Sequence, residues 1–149
     1  MSLGISKSNF HLIENLLFKD IIEEIRPGSA KDLPYYNSNV ISVVSKVIVF
    51  RDDMSKMYCV EFVNARQELE AYYYDWADSQ NRMFLKFHAH YHPEETDPSV
   101  AQFDPFHLHK KANDADDKLT LRVKDERYME LNNVLEFIRD SVYVKKNRK

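Results

Sequence analysis

Four runs rich in β-branched and aromatic residues follow one another along the middle of the chain: Val40 to Arg51, Lys56 to Val63, Leu69 to Trp76 and Arg82 to Tyr91. The spacers between them, Asp52-Asp53-Met54-Ser55, Asn64-Ala65-Arg66-Gln67 and Asp78-Ser79-Gln80-Asn81, are only about four residues long. A parallel crossover needs a dozen or more residues, so these spacers can only be hairpin turns. The runs therefore predict four strands of an antiparallel meander. Phe106 to Lys110 and Lys118 to Val123 are short enough to add one extended element and one edge strand, with Glu94 to Asp104 as a loop before them.

Helices are predicted on both sides of the meander. Ser8 or Asn9 caps a helix whose stripe is Phe10, Ile13, Leu17 and Ile21, widened by Leu16, Ile22 and Ile25 and ended by Pro27-Gly28. Ser29 to Asn39 reads as a connection. Asp125 caps a closing helix that buries Tyr128, Leu131, Val134, Leu135, Ile138 and Val142. The fold expected is α+β: an N-terminal helix, an antiparallel meander of four to six strands and a C-terminal helix in a two-layer sandwich. Its 149 residues fit a single domain, with an ordered core over 8–143 and a basic, disordered tail over 144–149.

Composition removes several functions. Two glycines leave no Gly-rich loop for a nucleotide phosphate. The one cysteine, Cys59, cannot form an internal disulfide or a Cys-x-x-Cys site, and mid-strand it reads as a buried, inert thiol. With no long apolar run and no signal sequence, the expectation is a cytoplasmic protein without a membrane span. The net charge of −3 includes four cations in the last five residues, so the rest of the chain stands near −7. A nucleic acid would thus need a local basic site, for which Arg82, Lys86, Lys110 and Lys111 are the candidates. Alternation places Tyr72, Tyr74 and Trp76 together on one sheet face, where packing is expected rather than base stacking.

Five of the six histidines fall between His88 and His109. On a strand, His88, His90 and His92 share a face with Phe84 and Lys86, while Met83, Leu85, Phe87, Ala89 and Tyr91 turn to the core. His107 and His109 also share a face. Side chains two apart on a strand are spaced by roughly 6.5 Å, within which two imidazoles can reach one ion. One reading is a transition-metal site drawn from His88, His90, His92, His107 and His109, zinc being the metal best suited to three imidazoles and a water. Glu94, Glu95, Asp97 and Asp104 would then serve as a further ligand, a base or acceptors for imidazole N–H groups. A second reading needs no cofactor: one neutral histidine takes a ribose 2′-hydroxyl proton, a protonated one returns a proton to the leaving oxygen, and Lys86 or Lys110 stabilises the charge. A third gives these histidines no role beyond that of half-exposed polar residues.

The block Lys86-Phe87 to His92, followed by Pro105-Phe106-His107-Leu108-His109 and a C-terminal helix, resembles the toxin–antitoxin system TumE-like family. Members of that family carry a basic-aromatic-Asp-x-Ala-Pro-His-His-Pro strand end, then a Pro-His-His-x-His block. Here His88 stands in place of the Asp, His90-Tyr91 in place of Ala-Pro, and Phe106 in place of the middle histidine of the second block. The resemblance implies a small prokaryotic toxin, paired with an antitoxin protein and directed at RNA, in which His92, His107 and His109 keep the motif positions. Read together, the residues point to phosphodiester cleavage with His92, His107, His109 and Lys86 as catalytic candidates. The alternative is a non-enzymatic metal-binding or protein-interaction module, in which the aromatic sheet holds a partner or a second copy in a homodimer.

Overall fold

The β-branched and aromatic runs pair into one antiparallel sheet of seven strands whose order in space is their order in the chain. A computed structural model describes residues 2–29, 37–91, 97–112, 118–125 and 127–144. Helix α1 opens as one α turn (Phe10–Leu12) and widens to a π turn (Ile13–Leu17). The strands are β1 (Ile22–Pro27), β2 (Val40–Phe50), β3 (Lys56–Asn64), β4 (Leu69–Ala77), β5 (Met83–Ala89), β6 (Phe106–Lys110) and β7 (Leu121–Lys124). A four-residue helix α2 (Pro98–Ala101) precedes β6, and α3 (Leu131–Ile138) continues as a π turn over Arg139–Val144.

With so few glycines, the hairpins are closed by Asp and Asn side chains. The Asp78 carboxylate accepts from the backbone N–H groups of Gln80 and Arg82, and Asn64 Oδ1 accepts from those of Arg66 and Glu68. Asp53 does the same for Ser55. Asp52, Met54, Gln67 and Asn81 take the positive φ values the turns demand, 55° to 69°; Asp and Asn tolerate that region better than other residues with a Cβ.

Three expectations are corrected. The sheet has seven strands rather than four to six, because the predicted N-terminal helix stops at Leu17 and its second half is β1. Ile21, Ile22 and Ile25 fit a helical stripe, but β-branched side chains also suit a strand, and pairing decides. β1 bonds along β2, with Ile22 opposite Phe50, Ile25 opposite Ile48 and Pro27 opposite Lys46, and so covers backbone groups that β2 would otherwise leave open. Pro27 is tolerated because this is an edge strand.

The closing helix also starts later than Asp125. Asp125 instead accepts from the N–H groups of Arg127 and Tyr128 in a turn, and Glu130 caps α3 in a reciprocal box with Asn133. The stretch read as a loop before β6 contains α2. The predicted basic tail, apart from Val144, lies outside the described residues.

One face of the sheet carries both long helices. Ile13 and Phe18 from the N-terminal side and Leu131, Val134, Leu135 and Ile138 from α3 pack on Ile48, Met57, Cys59, Tyr72, Tyr74 and Phe87. Tyr72, Tyr74 and Trp76 are buried together there, and the Tyr72 and Tyr74 rings stack at 4.2 Å. A smaller cluster, Val40, Phe62 and Ala71 with Val43, Val60 and Tyr73 against it, is built from strands alone.

Where β1 runs out, Gly28 donates its N–H to the Ser45 carbonyl at 2.9 Å. A Cβ at Gly28 would stand 2.0 Å from Ser45 Oγ and 3.0 Å from the Ser45 backbone carbon. Gly28→Ala is therefore expected to cost about 1–3 kcal/mol through overpacking, seen as a lowered midpoint in thermal denaturation. Adding Ser45→Ala, which removes the closest atom, should recover part of that loss. Equal midpoints for Gly28→Ala and the parent would show that the two strands part without cost.

Candidate functional site

β5 and β6 run side by side with Lys86 opposite His109, Phe87 opposite Leu108, His88 opposite His107 and Ala89 opposite Phe106. Phe87 and Ala89 are buried, and Phe106 and Leu108 pack against the same core. Alternation then sends Lys86, His88, His107 and His109 to the opposite face. On one flank β4 places Tyr73 beside His88 and Asp75 beside Lys86. On the other, β7 places Lys124 beside His107 and Arg122 beside His109.

Three imidazoles meet there. Each of His88, His107 and His109 offers a ring nitrogen, and these atoms lie within 4.8 Å of one another. The His88 and His109 ring centres are 4.8 Å apart, and those of His107 and His109 are 5.0 Å apart. His88 Nε2 and Asp75 Oδ1 are 2.7 Å apart, and the Tyr73 ring stands edge-on to the His88 ring at 4.7 Å. His88 is therefore held in a fixed orientation by a carboxylate and an aromatic ring.

Burial sets the charge state of the other two. His107 is 2% exposed, and burial, followed by repulsion from His90, His109, His88 and Arg122, pushes its pKa down to about 3. Burial, then His88, Arg122 and Lys86, brings His109 down to about 4, against a smaller opposing pull from Asp75. At pH 7 both are neutral imidazoles with a lone pair on one ring nitrogen.

The cluster opens sideways into a groove of about 830 Å³ whose lining includes His88, His109 and the cations Arg82, Lys86, Lys111 and Lys118. Asp78, paired with Arg82 at 2.7 Å, is the only acidic side chain lining it among the described residues. Phe84, 37% exposed, stands at its edge with the Trp76 ring 4.8 Å away.

The predicted residues divide accordingly. His88, His107 and His109 converge, and Lys86 lines the groove beside them. His90, just beyond β5, has its ring 5.0 Å from that of His107 but is not one of the three. His92, Glu94 and Glu95 lie outside the described residues. Asp97 turns its carboxylate to the Ser99 N–H at the start of α2. Of the four basic candidates, Arg82, Lys86 and Lys111 line the groove and Lys110 does not. Asp75 and Lys118 are additions that sequence reasoning missed. The signal for Asp75 was present, since the residue between Tyr74 and Trp76 must point to the histidine face. Cys59 is 1% exposed, and burial, then Glu61 and Asp75, pushes its thiol well up, which makes it inert.

Fold and site together define a class: a seven-stranded antiparallel sheet with helices on one face and an imidazole cluster beside a cationic groove on the other. The family model described as Toxin TumE matches residues 13–142. The chain therefore belongs to the Toxin TumE family, and its function is of the toxin type. No curated protein and no solved structure matches it. No helix among the described residues is long and apolar enough to cross a membrane.

Proposed function

We propose that this toxin cleaves RNA at the histidine cluster and that a cognate antitoxin protein restrains it. The observation that carries this reading is the groove: four cations line it together with His88 and His109. Cations lining one groove suit a polyanionic backbone, whose phosphates they neutralise. Such a basic site stands out in a chain of net charge −3.

In the reaction, the ribose 2′-oxygen forms a bond to phosphorus as the bond from phosphorus to the 5′-oxygen breaks. A base at the cluster takes the 2′-hydroxyl proton, and an acid returns a proton to the departing 5′-oxygen. The products are a 2′,3′-cyclic phosphate and a 5′-hydroxyl. Lys86, opposite His109 in the sheet, supplies the positive charge that stabilises the extra negative charge on the phosphoryl oxygens.

The competing reading makes the aromatic face of β4 a docking surface for a partner or a second copy. Tyr72, Tyr74 and Trp76 are buried beneath the helices, which leaves that face little to offer. Purified toxin incubated with RNA oligonucleotides is expected to give 2′,3′-cyclic phosphate ends by mass spectrometry. A single 2′-deoxy substitution at the cut site should block cleavage there. Lys86→Ala with Lys111→Ala should weaken RNA binding about tenfold or more and flatten its salt dependence by about one unit of slope per lysine. Intact RNA at high toxin concentration, or equal cleavage of the deoxy substrate, would sink the reading.

A further inference from the structure

We propose that His88, His107 and His109 form a mononuclear site for a divalent transition metal, zinc above others, with Asp75 as the residue that positions His88. The three ligand atoms already lie within 4.8 Å of one another. Bonds of about 2.0–2.1 Å in a tetrahedral site set neighbouring ligand atoms about 3.4 Å apart. The longest edge therefore has to shorten by about 1.4 Å, a change that ring rotations about the side-chain torsions can supply. The backbone need not move. His88 and His107 are direct partners across β5 and β6, and His109 is one side-chain repeat further along the same face.

The surroundings match a metal centre rather than a chance gathering of polar residues. A metal-bound histidine nearly always gives its second ring nitrogen to a carboxylate or a carbonyl, which fixes the tautomer and raises ligand basicity. Asp75 at 2.7 Å from His88 Nε2 is that arrangement, and it leaves Nδ1 as the ligating atom. An imidazole binds an ion through the lone pair of its neutral form. Three neutral ligands also keep a divalent ion's charge largely uncompensated. Together with Lys86, this draws an anion to the fourth position, which faces the groove through His88 and His109.

Such a site sharpens the RNA reading without depending on it. Zinc held by these three imidazoles would lower the pKa of a bound water to about 7 and so could supply a base for the 2′-hydroxyl. Metal binding itself needs no RNA and can be measured alone.

Toxin made without a histidine tag and stripped with a chelator is titrated with Zn²⁺ against a chromophoric competitor, and separately with Co²⁺ followed by visible absorption. The expected result is one Zn²⁺ per chain with submicromolar Kd and the intense cobalt bands of a four-coordinate site. His109→Ala, at a half-buried position, should weaken binding at least about 100-fold, and Asp75→Asn about 10- to 100-fold at unchanged stoichiometry. Circular dichroism of both variants checks that the fold is kept. Zn²⁺ binding weaker than about 10 μM, roughly −7 kcal/mol, or binding that neither variant changes, would overturn the site. RNA cleavage that persists in chelator without Zn²⁺ binding would overturn it while sparing the RNA reading. Tight Zn²⁺ binding without RNA cleavage supports the site and removes the RNA reading instead.

Discussion

Exchanging Glu61 for alanine is expected to remove about 3–5 kcal/mol of folding stability, the size seen when one member of a buried polar network is lost. Glu61 sits in the middle of β3 and is fully buried, a rare place for a carboxylate. It is kept there by three donors: the backbone N–H of Ser8 at 3.0 Å, the Ser8 hydroxyl and the phenol of buried Tyr74. The pair with Ser8 ties the segment ahead of α1 to the sheet across 53 residues of chain. Alanine would strand all three donors, each at about 1–3 kcal/mol if water does not reach it, and would leave a cavity as well. Tyr74 loses most, because it is fully buried and water does not readily replace the acceptor that Glu61 gives its phenol. Glu61→Gln keeps one acceptor and most of the volume, so its loss should be smaller. Urea unfolding gives the magnitude, and hydrogen exchange at the Ser8 amide reports whether the N-terminal segment lets go first. A midpoint for Glu61→Ala equal to that of the parent would show the network to be incidental.

The meander was legible because its spacers were too short for any other connection and its runs alternate cleanly. Val40, Lys56 and Leu69 start their strands where the runs begin, and Asp78-Ser79-Gln80-Asn81 forms the turn its composition suggests. β1 was not legible, because Ile21, Ile22 and Ile25 satisfy a helical stripe and a strand equally, and only the vacant side of β2 chooses between them. Asp125 was a credible cap by residue type, but Glu130 sits one residue before the buried Leu131 and wins the position. At the site, the period of two gave the shared face of His88 with Lys86 and of His107 with His109. It could not give cross-strand neighbours. Those depend on register, and the register of β4 against β5 shifts at Trp76/Ala77. Asp75 reaches His88, and Lys118 reaches the groove, only once that register and the pairing of β6 with β7 are fixed.

Replacing His88 and His109 together is expected to abolish growth inhibition when the toxin is expressed in cells and to lower RNA cleavage by about 10³-fold or more. These are the two members of the cluster that line the groove, whereas His107 is buried behind them. On the proposed RNA reading, a substrate phosphate held by Lys86, Lys111 and Lys118 would meet His88 and His109, which line the same groove. If they hold a metal, losing two of three ligands removes the ion; if they move protons, losing both removes base and acid. Either route predicts the double variant to be barely worse than the worse single one, since residues acting as a unit are not additive. Lys86→Ala should cost far less, about 10- to 100-fold, because it touches charge rather than the reacting proton. Both histidines are half-buried side chains on paired strands, so alanine there should leave the fold intact, which a thermal melt of the purified variant checks. A folded double variant that still arrests growth at the parent's expression level would move the toxic activity away from this face altogether.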